Sequence, residues 1–233
     1  MAADKFNTAL IVGAGSGLSA ALARALVADG IKVALAARTT AALDPLVRET
    51  GATAYACDAS ETAEVETLFA ELDRTWKTFD IVIYNASARA RGPIAELDPA
   101  DVAKAIAISA FGGFLVGQQA ARRMLPNRRG VIVFTGASAS VKGFAESAPF
   151  AMGKFALRGL SQSMARELSP QGIHVAHAII DGGIKSNRRA EPADKPQSLL
   201  DPADIAASYM HVIRQPRSAW TQEFEVRPWV EKF

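Results

Sequence analysis

Short apolar runs alternate along the chain with longer stretches whose apolar residues recur at helical spacing. The apolar runs are Thr8 to Val12, Lys32 to Ala36, Thr53 to Ala56, Asp80 to Tyr84, Val131 to Thr135, His174 to Ile180 and Glu223 to Val226. The stretches with helical period fall at about 17–28, 40–50, 61–76, 99–124, 149–168 and 202–214. A strand that is apolar on both faces needs cover above and below. The alternation therefore predicts an α/β fold, a parallel sheet of about seven strands with helices on both faces.

Local signals place several ends. Asp98-Pro99-Ala100-Asp101 and Asp201-Pro202-Ala203-Asp204 each offer an aspartate cap, a proline at the first helical position and a carboxylate in the first turn. Gly30, Gly51 and Gly172 each follow a helical stretch and precede a strand, where a left-handed residue closes the helix. The polar segment 182–200, with Pro192 and Pro196, has no period and is expected to be a mobile loop beside the substrate. No repeat and no second hydrophobic pattern interrupt the series, so residues 1–233 are expected to form one domain.

Composition narrows the class. A chain of 233 residues, 49% of them hydrophobic, can bury one large core. The net charge of +2 comes from scattered basic residues, which makes nucleic acid an unexpected partner. Cys57 is the lone cysteine, which excludes a disulfide framework or a cysteine zinc site within one chain and favours a reducing, cytoplasmic setting. His174 and His177, three apart on a strand, point to opposite faces, so no metal site is expected. No apolar stretch looks long enough for a membrane span, and a soluble, unprocessed protein is the expectation.

The first candidate chemistry follows the first strand at once: Gly13-Ala14-Gly15-Ser16-Gly17-Leu18-Ser19, then an amphipathic helix. A strand, a glycine turn and a helix N-terminus make an anion site, because free backbone N–H groups and the helix dipole face the phosphate. Leu18 breaks the G-x-G-x-x-G dinucleotide pattern, and a tight turn needs glycine for steric reasons alone. The Gly13 and Gly17 spacing instead resembles the T-G-x-x-x-G-x-G turn of the short-chain dehydrogenase/reductase family, with Val12 and Ser19 as departures.

Other landmarks extend that resemblance from Thr8 to about Val226. Asp58 after the third strand is similar to the family's adenine-contacting aspartate. Asn85-Ala86-Ser87 resembles its N-N-A-G motif, with Tyr84 in place of the first asparagine. The resemblance implies a Rossmann-type sheet and a nicotinamide cofactor held by Gly13, Gly15, Ser16, Gly17, Leu18, Arg38, Asp58, Asn85, Ala86, Lys154 and Gly182. At the end of the second strand an acidic residue would hold the ribose hydroxyls of NAD(H) and repel a 2′-phosphate. The chain has Ala37-Arg38-Thr39 there, which favours NADP(H).

At the reacting end the match is incomplete. Phe150-Ala151-Met152-Gly153-Lys154 stands where the family has Y-x-x-x-K, so Lys154 is kept and the tyrosine that transfers the proton is Phe150. Ser109 aligns with the family's active-site asparagine. Ser138 is the candidate serine, with Ser140 as a fallback because Ser138 lies one residue nearer to Phe150 than the family spacing. Asp181, in an Asp181-Gly182 pair where the family has Pro-Gly, is a speculative substitute acid; a turn aspartate is the competing reading. Lys185, Arg188 and Arg189 could draw an anionic substrate or form a solvated basic loop.

These residues imply hydride transfer to or from an unidentified carbonyl or alcohol with an altered proton donor. The alternative is an inactive NADP(H)-binding sensor or partner subunit. The resemblance further implies a homodimer or homotetramer. The aromatic tail 227–233 is expected to dock on its own core or on a neighbouring subunit.

Overall fold

A computed structural model describes residues 5–187 and 189–232. Arg188 of the basic loop and Phe233 of the tail lie outside the described residues. The strands are β1 (Thr8–Val12), β2 (Lys32–Ala37), β3 (Thr53–Ala56), β4 (Ile81–Tyr84), β5 (Gly130–Thr135), β6 (Ile173–Ile180) and β7 (Glu223–Val226). They form one parallel sheet in the order β3-β2-β1-β4-β5-β6-β7.

The helices are α1 (Leu18–Ala28), α2 (Asp44–Thr50), α3 (Thr62–Asp73), α4 (Pro99–Ile106), α5 (Gly112–Met124), α6 (Ala148–Leu168) and α7 (Pro202–Ile213). Alternation along each strand divides the interior. Ala9 and Ile11 of β1 pack with Leu22 of α1, Leu46 of α2 and Tyr209 of α7, whereas Leu10 and Val12 pack with Phe69 of α3, Val116 of α5 and Leu157 of α6. Period-2 side-chain geometry thus places one apolar layer on each face.

The caps form as the sequence predicts: Asp98 Oδ1 accepts from Ala100 N at 2.8 Å and Asp201 Oδ1 from Ala203 N at 2.9 Å. Gly30, Gly51 and Gly172 have φ of 77°, 69° and 86°, in the left-handed region.

The stretch expected as one helix over 99–124 contains a wide π turn, Ala107–Phe111, between α4 and α5. By length and composition this run also overturns the reading that nothing in the chain could cross a membrane. Pro99–Asn127 spans 29 residues and contains a window of mean hydropathy 1.5. Its Val116, Ala120 and Met124 are buried among Val82, Ile132 and Phe134 of the sheet, so the apolar face is accounted for by core packing.

β1 and β4 are neighbours whose following helices leave to opposite faces. The chain therefore opens a crevice at their carboxyl ends, where open α/β sheets take ligands. The tail folds back towards that edge: Trp229 Nε1 donates to Pro196 O at 3.1 Å, and Arg227 lies 3.6 Å from Asp181.

Candidate active site

The turn after β1 is held from three sides. Gly13 N and Ala14 N both donate to Ala36 O at 2.9 Å, fastening the turn to β2. Ser19 Oγ donates to Gly13 O at 3.0 Å and accepts from Asn85 Nδ2 at 2.8 Å. Ser19, where the family pattern has glycine, thus ties the β1 turn to the end of β4. Gly17 caps α1 without a side chain, and no acidic residue stands in its first turn, so the free N–H groups there remain open to an anion.

A test of fit to a dinucleotide comes from Gly15. A Cβ built on it would meet nothing within 4 Å, and its φ is not positive, so the fold itself makes no demand for glycine there. Such an open glycine leaves room for a ligand to approach the backbone closely. Ser16 is exposed at the tip of the same turn.

The turn faces two adjoining clefts, of about 550 Å³ and 380 Å³, which share Gly13, Asn85 and Ser87. The smaller one runs to Arg38 and Asp58 at the ends of β2 and β3. Partial burial raises the Asp58 pKa, but hydrogen bonds from Ser60 and the charges of Arg38 and Lys104 outweigh it and hold the carboxyl below its usual range. Cys57 borders the same cleft, where burial pushes its thiol up to about 12, so it stays protonated. Ala86 packs directly against Gly13.

The larger cleft leads to Phe150 and Lys154, one turn apart on α6, and to Gly182 beyond β6. Lys154 is 3% exposed and donates from Nζ to Thr135 O at 2.7 Å. Burial pushes its pKa down to about 7, and the nearby charge of Arg89 adds to the shift. The Arg89 guanidinium lies 4.0 Å from the centre of the Phe150 ring, and Lys154 Nζ lies 5.8 Å from it. A ring without a hydroxyl is therefore flanked by two basic side chains.

Ser109, in the π turn, is fully buried; its Oγ accepts from Ala88 N at 3.1 Å and donates to Ala88 O at 3.4 Å. It fastens the loop that carries Arg89. Tyr84, also fully buried, donates its hydroxyl to Ile108 O and so braces the other side of the π turn.

At the end of β5 the cleft wall is Thr135, Gly136 and Ala137. Ser138 is half-buried and opens the next turn outside that wall. Ser140 is buried beneath it, where its hydroxyl meets His177 Nε2 at 3.3 Å while His177 Nδ1 meets Glu223 Oε2 at 3.0 Å. Burial pushes His177 down to about 4, so the ring is neutral; Nδ1–H donating to Glu223 leaves Nε2 to accept from Ser140. Arg158 completes the chain through two 2.7 Å bonds to Glu223. His174 stacks on Trp220 instead, with ring centres 4.9 Å apart.

Asp181 is buried outside the cleft lining, with Arg227 at 3.6 Å and Lys142 at 4.0 Å. The structure thus brings together Gly13, Gly15, Gly17, Leu18, Asn85, Phe150, Lys154 and Gly182. It sets Ser138, Ser140, Ser109 and Asp181 behind or beside the cleft.

Sequence reasoning passed over Arg89 and Ala137. A basic residue four positions beyond Asn85, just past a strand's carboxyl end, was the available signal for Arg89. Ala137 offers no polar group to notice.

The Lys154 environment has a measurable consequence. Its pKa falls from 10.5 to about 7 on folding, so between those values the unfolded chain binds more protons than the folded one. Stability of the ligand-free protein is expected to rise with pH across that window by up to about 1.4 kcal/mol per unit. Urea denaturation at a series of pH values should show this slope in the wild type and its loss in Lys154→Met.

The profile of the family described as short chain dehydrogenase matches residues 7–197. A mitochondrial borneol dehydrogenase of Lavandula x intermedia is 30% identical over 171 residues, 72% of this chain and 66% of that relative. An uncharacterized oxidoreductase of Staphylococcus aureus (strain N315) is 27% identical over 226 residues, 94% of this chain and 96% of the relative. Among solved structures, a short-chain dehydrogenase from Rhodopseudomonas palustris superposes with a TM-score of 0.83 at 36% identity, covering 96% of this chain and 99% of that one. A metagenomic short-chain oxidoreductase in complex with NADP has a TM-score of 0.83 at 26% identity, covering 97% and 100%.

Proposed function

The chain belongs to the short-chain dehydrogenase family, and on that premise we propose that it is an NADP(H)-dependent oxidoreductase acting on a small carbonyl or alcohol without a tyrosine acid. The observation that carries this reading is Lys154, a buried lysine opening on the same cleft as the Gly13 to Leu18 turn. A buried cation without a carboxylate costs stability, and a ligand that uses it accounts for its presence.

In this reading Gly15, Gly17 and Leu18 hold the pyrophosphate, Asp58 and Ala86 border the adenosine, and Asn85 and Lys154 hold the nicotinamide ribose. NADPH, when bound, supplies the hydride to the carbonyl carbon. The carbonyl oxygen becomes an alkoxide and takes its proton from water, since Phe150 has none to give. Arg89, above Phe150, offsets the developing negative charge. Ser138, Ser109 and Asp181 have no direct part.

The preference for NADP(H) rests on Arg38, exposed in the lining of the smaller cleft, with no acidic residue in Ala37-Arg38-Thr39. Arg38→Ala is expected to weaken NADPH binding about ten- to hundredfold, the worth of a charge-assisted bond, and to leave NADH nearly unchanged. Calorimetric titration of both cofactors checks it.

A second reading, binding without turnover, draws on the same Phe150 and on Ala137 in the cleft wall. NADPH oxidation against a panel of carbonyl compounds separates the two: turnover supports the enzyme, whereas tight binding without turnover supports the sensor or partner subunit. As working premises we take residues 1–233 as one cytoplasmic dinucleotide-binding domain with 182–200 as its substrate loop. We also take a homodimer or homotetramer, supported by exposed Phe111, Phe114, Met152 and Phe155.

A further inference from the structure

The reacting end of the larger cleft carries more positive charge than the cofactor accounts for. Its lining includes Arg89, Lys154 and Arg189 and no acidic side chain among the described residues. The pyrophosphate already has its cradle at the start of α1, and Lys154 spends one N–H on Thr135 O. Arg89 stands apart from that cradle, stacked on Phe150, where the family places its proton donor.

Two features fix Arg89 at the rim of the cleft, where the residue itself is exposed. Ser109 clamps the adjacent Ala88 through both its N–H and its carbonyl. The Phe150 ring packs against the guanidinium, whose carbon lies 4.0 Å from the ring centre. No carboxylate among the described residues lies within ion-pair distance of it. Burial and the like charges of Arg91 and Arg189 all act to lower its pKa, which is the electrostatic mark of an unneutralised basic cluster. Arg189 approaches from the loop after β6, its side chain lying against Gly183.

We propose that Arg89, with Arg189, selects a substrate bearing an oxyanion group, carboxylate or phosphate, beside its carbonyl or alcohol. The planar guanidinium fork takes either oxyanion through paired hydrogen bonds. Binding that group anchors the substrate over Lys154. Orientation then supplies part of what the missing tyrosine would have contributed. The inference rests on the cofactor reading above and deepens it.

The test uses matched pairs on protein saturated with NADP+, which cannot reduce a carbonyl, so that binding alone is read by calorimetry. One pair is 2-oxobutanoate against 2-pentanone; the other is dihydroxyacetone phosphate against dihydroxyacetone. At least one anionic member is expected to bind about tenfold or more tighter than its neutral partner, the two pairs telling carboxylate from phosphate. That advantage should shrink with salt, vanish in Arg89→Met, which keeps the packing on Phe150, and return in part in Arg89→Lys. Equal affinity within both pairs, or an Arg89→Met variant that keeps the advantage, overturns the proposal while the cofactor reading stands. Failure of NADP+ itself to bind in the preliminary titration overturns that reading and this inference with it.

Discussion

Phe150→Tyr is expected to raise carbonyl reduction by about 10²-fold or more, the lower end of what a positioned general acid contributes. Phe150 is 8% exposed and lines the cleft, so a hydroxyl added at the tip of its ring enters the site without opening the core. Lys154 at 5.8 Å and Arg89 at 4.0 Å from the ring centre both favour the phenolate, drawing the new hydroxyl's pKa down towards neutrality. The full family gain is not expected from this change alone, because Ala137, which carries no hydroxyl, lines the cleft at the end of β5. Adding Ala137→Ser should raise the rate further. Initial rates of NADPH oxidation in the single and double variants provide the measurement. A double variant that binds NADPH normally yet shows no gain would mean that the rest of the site is not arranged for hydride transfer, and the binding-only reading would then hold.

Gly13→Ala should be the most damaging single methyl in the cofactor turn. Gly13 has φ of +85°, and an added Cβ would lie 2.5 Å from Ala86 Cα, a backbone atom that cannot rotate away. The left-handed conformation costs a non-glycine residue about 1–2 kcal/mol, and relieving such an overlap costs about 1–3 more. A loss of about 2–5 kcal/mol is expected, read as a lower urea midpoint at unchanged slope. NADPH affinity should fall as well, because the shift displaces Ala86 and Asn85, and with them the Ser19 bonds that set the turn. A loss below about 1 kcal/mol would show that the β1 turn and the β4 end move independently. Gly15→Ala is the informative contrast: with open space around its Cβ, it should fold normally and weaken only the cofactor.

What the sequence determined was whatever depends on near neighbours. Apolar period placed all of the strands within one residue of the observed ends, since a buried parallel strand is written as a continuous apolar run. The Asp98 and Asp201 caps and the glycine-closed helix ends depend on groups within a few residues, and they formed as read. The Gly13 to Ser19 turn was legible for the same reason, and the four-residue spacing of Phe150 and Lys154 puts both on one turn of α6, facing the same cleft.

The rest was decided by contacts between residues far apart in the chain. Nothing in Ala107–Phe111 announces a π turn, which forms where Tyr84 meets Ile108 O and Ser109 meets Ala88. Ser138 and Ala137 are adjacent in sequence, and only the direction in which the chain leaves β5 decides that Ala137 faces the cleft. Asp181 could be recognised as a residue at the sheet edge, but Lys142 and Arg227, which it faces, come from segments 39 and 46 residues away on either side. Arg89 acquires its meaning only from Phe150, 61 positions later. Period and caps follow from local backbone geometry, whereas the charge and shape of the cleft follow from long-range packing, which no single segment encodes.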